Sequence, residues 1–315
     1  MDDATSFRIT LITQEIVWGM LALGTFVRGW RRGRDRRDRA SFAALALACS
    51  TFGAVVARWD VFAITLRPVL LGTVALGAIL LVALPPRMTN TTPLTLAFWG
   101  RLTLTGALLS VVASALDKGA LPEAVAMEFP LKDGRFYVVQ GGASLLLNYH
   151  RVNVSQKYAL DITSIGPSNR RAEGVLPSEP RRYFIFGASV LAPCSGRLRY
   201  VVDSLPASGI PSGDVREPAG NYVAIDCTGT ETTVVMAHLQ QGSVRGRTGQ
   251  DVTAGQLLGL SGQSGHSSEP HLHIHAARDV DERGSGGTGI PMTFAGRFLA
   301  KNDVFASAAR LPPAR

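Results

Sequence analysis

The stretch EPHLHIH (residues 269–275) carries the strongest structural and chemical pattern in the sequence. Successive side chains of a β-strand point to opposite faces, so His271, His273 and His275 share one face while the two aliphatic residues between them point into a core. Two imidazoles at i and i+2 can converge on one metal ion or one substrate. An exposed pair of strand histidines is the alternative interpretation of this motif.

The sequence around this stretch is typical of a β-rich domain. After Leu116, short alternating apolar segments are separated by Gly, Pro, Asn and Asp. We therefore predict a mainly antiparallel β domain over 122–315, and surface loops at 167–182 and 204–220. The predicted strands are 135–140, 183–186, 196–202, 222–226, 232–238 and 271–276.

Three further residues of this half are candidates for chemistry. The segment NYHRVNVSQKYALD (148–161) contains His150 and Asp161, a nitrogen and a carboxylate ligand suited to zinc. His238 ends the apolar segment VVMAHL, where a lone histidine is more often part of a core. All six histidines follow residue 149, and His266, in a Gly/Ser turn, is expected to be neither ligand nor base.

The first part of the chain, 1–121, differs in composition and is predicted to be a transmembrane anchor. The whole chain is 46% hydrophobic and 18% charged, with a mean hydropathy of +0.16. A bilayer core requires about 20 apolar residues per helix. The predicted spans are 9–27, 41–57, 64–84 and 94–116. A cleaved signal peptide is disfavoured because the Arg cluster follows the first apolar segment.

The distribution of charge predicts the orientation of these spans. Residues 28–39 hold seven Arg and two Asp, a local charge of +5 out of +8 for the chain. Short loops rich in Lys and Arg lie on the cytoplasmic side, so four spans place the C-terminal domain outside the cytoplasmic membrane. The remaining charge is too small for a distributed phosphate-binding surface, which excludes nucleic acid as a partner.

Two charged residues lie within the predicted spans. Glu15 and Arg101 would each be costly at the centre of a helix in lipid. One hypothesis is that they pair inside the bundle, and the alternative is that Arg101 reaches the inner interface. The spans contain no inverted repeat and no row of charges, so they predict an anchor rather than a transporter.

Taken together, the motifs of the C-terminal half resemble the lysostaphin-type zinc endopeptidases, which cleave peptide bonds in peptidoglycan. The resemblance covers about residues 135–276. It rests on motifs that occur in the family's order: NYH with ALD, FGASVLAPCSGRL, GNYVAID, VVMAHLQQGSV, GQDVTAGQLLGLSGQSG and SSEPHLHIH. It implies that His150, Asp161 and His273 hold one Zn²⁺, and that His238 and His271 act on the substrate.

The sequence departs from the family at one ligand and goes beyond its minimal motif at another position. The compact family pattern places its first His and Asp four residues apart, whereas ten residues separate His150 from Asp161, which we interpret as an enlarged loop. His275 is expected to lie behind the ligands or to face solvent. The glycine-rich segment 252–265 is expected to form a β-hairpin that frames the site.

The resemblance implies a zinc metalloendopeptidase that acts on peptidoglycan peptides, and the predicted spans place it in the lipid bilayer as a multi-pass protein. A membrane or wall-synthesis protein would be a further partner of the anchor. The alternatives are a non-catalytic module that binds the wall or regulates a hydrolase, a protease with a protein substrate, and a membrane-embedded sensor. Cys194 and Cys227 lie near the ends of two strands that are able to pair, and in an oxidising compartment they would form a disulfide.

Overall fold

The computed structural model of the protein contains a helical unit and a β unit. It describes residues 3–88, 93–117, 121, 123–211, 214, 216–281 and 286–307, and for residues 3–12, 14 and 15 it describes the backbone alone. The chain divides into compact units between Asp117 and Lys118. This agrees with the predicted class of an N-terminal helical bundle followed by a mainly antiparallel β domain.

The helical unit contains helices at each of the predicted spans. The helices are α1 (Asp3–Arg32), α2 (Arg36–Val56), α3 (Leu66–Ala83) and α4 (Leu96–Leu116). Of the helices in the described residues, α2, α3 and α4 are long and apolar enough to cross a membrane. The predicted first span lies within α1, whose first part is described by its backbone only. The Arg-rich segment is not a long loop, because most of it continues α1 and begins α2, with Asp35 as the N-cap of α2.

Helix α2 is the packed centre of this unit. Most of its side chains are buried, with α3 and α4 packed against it, whereas few side chains of α3 and α4 are buried and most are partly or fully exposed. Exposed apolar side chains on two long helices are expected where lipid, rather than water, is the surrounding medium.

Arg101 of α4 has its polar partners at the beginning of α2. Its guanidinium forms an ion pair with Asp38, its Nε donates a hydrogen bond to Ser41 Oγ at 2.8 Å, and it lies over the ring of Phe42 at 3.9 Å. This is the end of α2 that carries the Arg-rich segment, which is the inner end of α2 in the predicted orientation. The side chain of Glu15, the hypothetical partner, lies outside the described residues.

The β unit is built mainly from antiparallel strands. Its strands are β1 (Val125–Met127), β2 (Gly134–Gln140), β3 (Leu160–Ser164), β4 (Ser189–Leu191), β5 (Gly196–Val202), β6 (Asn221–Cys227), β7 (Thr233–Leu239), β8 (Asp251–Val252), β9 (Leu257–Leu260), β10 (Leu272–Arg278), β11 (Thr288–Ile290), β12 (Met292–Phe294) and β13 (Val304–Ser307).

Within the described residues, one large antiparallel sheet has the order β13-β2-β3-β10-β7-β6-β5-β8. In addition, β11 pairs with the C-terminal end of β10, at residues 276–278. Strand β10 therefore lies at the centre, between β3 and β7. Its register places His273 opposite Asp161 on one side and opposite Ala237 on the other. Leu272 and Ile274 are completely buried in the core, as the alternation of the motif predicts.

Two local predictions are wrong. Tyr183–Phe186 forms a single bridge followed by a turn instead of a strand, and Tyr183 is buried by tertiary contacts rather than by sheet pairing. The glycine-rich segment does not fold back on itself as a hairpin, because β8 pairs with β5 and β9 pairs with β4. In both cases apolar composition indicated burial correctly but did not determine which strand, if any, would be the partner.

Cys194 and Cys227 form a disulfide, as the sequence suggested. Their Cα atoms are 5.8 Å apart, and Cys227 pairs with Gly196 in the antiparallel ladder of β5 and β6. Cys49 of α2 is a free, buried thiol.

Candidate functional site

The centre of the candidate site is a carboxylate and an imidazole held opposite each other by two paired strands. Asp161 of β3 and His273 of β10 are both buried, and Asp161 Oδ1 lies 2.9 Å from His273 Nδ1. The other ring nitrogen of His273, Nε2, lies 3.0 Å from Nδ1 of His275. This second contact fixes the ring of His273 with its Nδ1 facing Asp161.

His150 reaches the same point from a single turn of 3₁₀ helix, Tyr149–Val152. Its Nε2 lies 3.0 and 2.9 Å from the two oxygens of Asp161. Asn148 caps this turn by accepting a hydrogen bond from the backbone N–H of His150, and its amide group donates to the carbonyl of Ala159. The side chain of Asn148 therefore holds together the two ends of the enlarged loop, since it contacts His150 at the beginning of the loop and Ala159 just before β3.

These three residues fit a zinc ion. One ligand atom from each of His150, Asp161 and His273 lies within 4.8 Å of the others. Two imidazoles and a carboxylate are the donors that zinc takes in catalytic sites, in which a further position stays available. Metal binding needs a neutral imidazole and an ionised carboxylate. Burial lowers the pKa of His273 to about 4. Burial would raise the pKa of Asp161, but the neighbouring His150 and His271 hold it well below its usual value.

His238 lies beside this group at the end of β7. Its backbone has a φ of +64°, a left-handed conformation that is uncommon outside glycine and that turns the chain out of the strand. Its Nδ1 donates a hydrogen bond to the carbonyl of Ser264 at 2.9 Å, because a carbonyl can only accept. This leaves Nε2 as the nitrogen with a lone pair. Burial lowers the pKa of His238 well below its usual value, so the ring is neutral at pH 7.

The carbonyl that holds His238 depends on a close approach of two glycines. Gly265 has a φ of +74°, and a Cβ at this position would lie 2.3 Å from the backbone nitrogen of Gly220. A side chain on Gly265 would push the segment that contains Ser264 away from β6. The glycines of the GQSG and GNY motifs thus serve the site by allowing this contact.

His271 immediately precedes β10 and faces both Asp161 and His238. Its Nδ1 donates to the carbonyl of Glu269 at 2.8 Å, and its Nε2 lies 3.5 Å from Asp161 Oδ1. The rings of His271 and His238 are 4.6 Å apart between centroids. Burial lowers the pKa of His271, but the Asp161 carboxylate outweighs this effect, so that the pKa lies above its usual value.

The structure therefore brings together all five residues that the sequence singled out, namely His150, Asp161, His238, His271 and His273. His266 is exposed and its backbone N–H donates to Pro218. His275 is only 2% exposed, so the expectation that it faces solvent is wrong, whereas a place behind the ligands agrees with its contact to His273.

Sequence reasoning did not assign a role to Tyr149, although this residue is part of the quoted NYH motif. Its hydroxyl donates to Asp161 Oδ2 at 3.3 Å, and its ring centroid lies 4.1 Å from that of His150. The side chain is 54% exposed, so it forms the solvent side of the cluster. Its adjacency to His150 in sequence was the signal available for finding it.

The arrangement combines a buried anionic oxygen with imidazoles of two kinds. His150 and His273 converge with Asp161 on one point, where the three side chains are candidate metal ligands. The other two, His238 and His271, are each held through Nδ1 by a backbone carbonyl, and Nε2 of His271 lies 3.5 Å from Asp161 Oδ1. Such a set is able to bind a divalent metal and to accept or return protons beside it.

Part of this unit matches a known protein family. Residues 185–283 match the sequence model described as peptidase family M23. This segment includes His238, His271 and His273, whereas His150 and Asp161 lie before it. No curated protein matches the chain significantly.

Several solved structures are similar to part of the chain. A zinc-containing peptidase from Vibrio cholerae is 20% identical, covers 49% of this chain and 37% of its own, and has a TM-score of 0.30. A family M23 peptidase from Pseudomonas aeruginosa described as putative is 19% identical, covers 54% of each chain, and has a TM-score of 0.29. Lysostaphin from Staphylococcus simulans is 15% identical, covers 54% of this chain and 52% of its own, and has a TM-score of 0.27. This chain thus spans between about a third and just over half of the length of those proteins.

The family match, the antiparallel sheet and the histidine-rich centre of that sheet all concern the same unit. Residues 185–283, within the β unit, are similar to peptidase family M23.

Proposed function

We propose that the protein is a membrane-anchored zinc endopeptidase that hydrolyses peptide bonds in the stem peptides or cross-links of peptidoglycan. The observation that carries the proposal is the convergence of one ligand atom each from His150, Asp161 and His273 within 4.8 Å, beside the buried His238 and the partly buried His271, in a unit that includes the M23 segment. In this proposal His150, Asp161 and His273 hold one zinc ion, and His238 and His271 are catalytic residues.

The chain's own residues supply the proton transfers that hydrolysis needs. The chemistry that zinc supplies in such sites is polarisation of the scissile carbonyl and an increase in the acidity of a bound water. Water attack requires one group to take up a proton and the leaving amine requires one to be returned. Nε2 of the neutral His238 carries a lone pair, and Nε2 of His271, whose pKa the Asp161 carboxylate raises, is able to carry a proton.

A non-catalytic module is the alternative. A module that only binds wall peptides has no need for ligands or catalytic histidines, and this chain retains all five positions. The retained set therefore favours hydrolysis over binding alone.

The proposed location is the outer side of the cytoplasmic membrane, with residues 1–121 as a multi-pass anchor and 122–315 as the peptidase domain. Three helices of the described residues are able to cross a bilayer, and the Arg-rich segment favours a cytoplasmic position for the connection between α1 and α2. The Cys194–Cys227 disulfide supports an oxidising compartment for the β unit. The partners are then wall peptides and the lipid bilayer.

The proposal is tested with the full-length protein in detergent, loaded with zinc and incubated with purified peptidoglycan. Amino groups released by hydrolysis would be quantified, and the fragments identified by mass spectrometry, with His271→Ala as the inactive control. New peptide ends with the wild type alone would support the proposal. Stoichiometric zinc without cleavage of any wall preparation would favour the binding module, and cleavage of a protein but not of peptidoglycan would favour a protein substrate. Absence of bound zinc would overturn the site.

The orientation is tested independently of activity. An epitope fused to the C-terminus is expected to be digested by external protease in cells whose wall has been removed, without lysis of the membrane. An epitope inserted beside Gly33 is expected to be protected until the cells are lysed. The reverse pattern would overturn the proposed location.

A further inference from the structure

A buried ion pair lies directly behind His271. Arg171, from the segment between β3 and β4, contacts Glu269, which precedes β10: the guanidinium Nε and Nη2 lie 2.8 and 2.7 Å from Glu269 Oε2. The two residues are 98 positions apart in sequence, and their side chains are 1% and 6% exposed. We propose that Arg171 and Glu269 are positioning residues, whose ion pair fixes the backbone carbonyl that orients His271. This inference rests on the proposed function.

The link from the ion pair to His271 runs through the backbone of Glu269. The carbonyl of Glu269 accepts hydrogen bonds from His271 Nδ1 at 2.8 Å and from Ser267 Oγ at 2.7 Å. Ser267 is held in turn by Gln263, whose amide donates to the Ser267 carbonyl at 2.7 Å. One residue thus carries both the carboxylate that pairs with Arg171 and the carbonyl that sets the tautomer and direction of the imidazole.

Glu269 needs such an anchor because its backbone lies outside the sheet pairing. Strand β10 begins at Leu272, and Pro270 between them has no N–H to donate. The direction of the Glu269 carbonyl therefore depends on contacts made by side chains. The Arg171 contact supplies one such restraint from a distant segment of the chain.

Arg171 is itself firmly held. It is completely buried, and its guanidinium lies 5.6 Å from the ring centroid of Tyr183, another buried residue. The hydroxyl of Tyr183 donates to the carbonyl of Pro177 at 3.0 Å. A buried ion pair adds little net stability compared with apolar residues of similar size, so stability alone gives a weak reason for charges at this position. Their position behind a catalytic imidazole supplies a stronger reason.

The decisive variant is Arg171→Met/Glu269→Met in the full-length, zinc-loaded protein. Replacing both partners leaves no uncompensated charge in the interior, so the variant is expected to fold and to keep zinc. We expect kcat to fall by about 10- to 100-fold with KM within about twofold of the wild type, as for other residues that orient a reacting group. The matched control is Arg182→Met/Glu173→Met, an exposed ion pair of the same segment, for which wild-type kcat is expected.

A second measurement follows the orientation of His271 without using activity. With ¹⁵N-labelled histidine, the Nδ1–H of His271 should give a slowly exchanging proton signal in the wild type and in the control variant. In the double Met variant this proton should exchange faster. A folded double variant with wild-type kcat and an unchanged signal would overturn the proposal.

If the double variant does not fold, Arg171→Met carries the test, because the remaining Glu269 is able to neutralise itself by taking up a proton. Wild-type kcat in that variant would equally overturn the proposal. If the wild type cleaves no wall preparation, the proposed function fails, while the exchange of the His271 proton still decides whether the ion pair orients the ring.

Discussion

Two buried aspartates, one in each unit of the molecule, show how similar local charge serves different purposes. In the helical unit, Asp38 is paired with the guanidinium of Arg101 and lies beside Ser41. In the β unit, Asp161 is surrounded by the imidazoles of His150, His271 and His273. Both carboxylates are almost inaccessible to solvent.

The difference lies in the partners. An arginine is always charged, so the contact between Asp38 and Arg101 is a complete pair with its charge balanced within the chain. Histidines are able to lose their proton, and a neutral imidazole donates a lone pair that a metal shares with the carboxylate. The same carboxylate chemistry therefore fixes helices in one unit and, in the proposed function, holds a metal ion in the other. Variants at each aspartate should separate these roles.

The largest effect is expected at Asp161. Asp161→Asn keeps the size of the side chain but removes the anionic ligand, so we expect zinc in the purified protein to fall to background and hydrolysis of peptidoglycan to fall below detection. Metal content would be measured by mass spectrometry of the full-length protein. Asp38→Asn is the matched control and should retain one zinc per chain. Stoichiometric zinc in Asp161→Asn would remove this residue from the ligand set.

A smaller effect, confined to the chemical step, is expected at His271. His271→Ala should keep one zinc per chain, because the ligand atoms of His150, Asp161 and His273 are unchanged. Loss of a proton-transfer group should lower kcat by about 10²- to 10⁴-fold. Zinc content and kcat would be measured on the same preparation, with His266→Ala as the control because that histidine is exposed. Loss of zinc in His271→Ala would contradict the division between ligands and catalytic residues.

For Asp38, the comparison predicts a change in stability rather than in chemistry. Asp38→Ala leaves the buried guanidinium of Arg101 without its carboxylate, which should lower the free energy of unfolding of the helical unit by about 3–5 kcal/mol. Thermal unfolding in detergent, followed by the helical circular dichroism signal, would measure it. Asp251→Ala, which removes one partner of an exposed pair on the β unit, should leave the midpoint unchanged.

The charge-reversed variant Asp38→Arg/Arg101→Asp sharpens the same test. It restores opposite charges at the two positions and should recover part of the lost stability. A midpoint no higher than that of Asp38→Ala would show that the arrangement around Ser41 and Phe42, rather than the pair of charges, stabilises the bundle.

The sequence predicted the parts of this molecule that depend on local periodicity. Alternation in EPHLHIH places Leu272 and Ile274 in the core, and long apolar segments coincide with α2, α3 and α4. Features that depend on distant partners were missed. The pairing of β8 with β5 and of β9 with β4 follows from tertiary packing, which the glycines of that segment do not encode.

The missed ion pair shows the same limit at the level of single residues. Arg171 and Glu269 both lie in segments rich in charged and small residues, where a charged side chain is usually exposed. Their burial follows only once β3 and β10 are paired, because this brings the segments that flank these strands together. By contrast, His150, Asp161 and His273 were found as a group because the motifs that contain them resemble those of a known family.

The smallest effect is expected from the cysteines, which extend the comparison to the redox environment of each unit. The Cys194–Cys227 bridge closes a loop with a sequence separation of 33, whereas Cys49 is a free thiol within α2. In the chain-entropy description, Cys194→Ala/Cys227→Ala should lower the free energy of unfolding of the β unit by about 2–4 kcal/mol. Cys49→Ala should leave the β unit unchanged. Thermal unfolding with and without reductant would measure both.

Zinc content and kcat are expected to stay at wild-type values in this disulfide-free variant. The ladder of β5 and β6 still pairs Gly196 with position 227 by backbone hydrogen bonds, and strand β10, which carries His273, lies on the far side of β7. A loss of zinc together with stability would mean that the bridge transmits order across the sheet to Asp161. In that case the two aspartates would differ further, since Asp161 would depend on an oxidising environment and Asp38 would not.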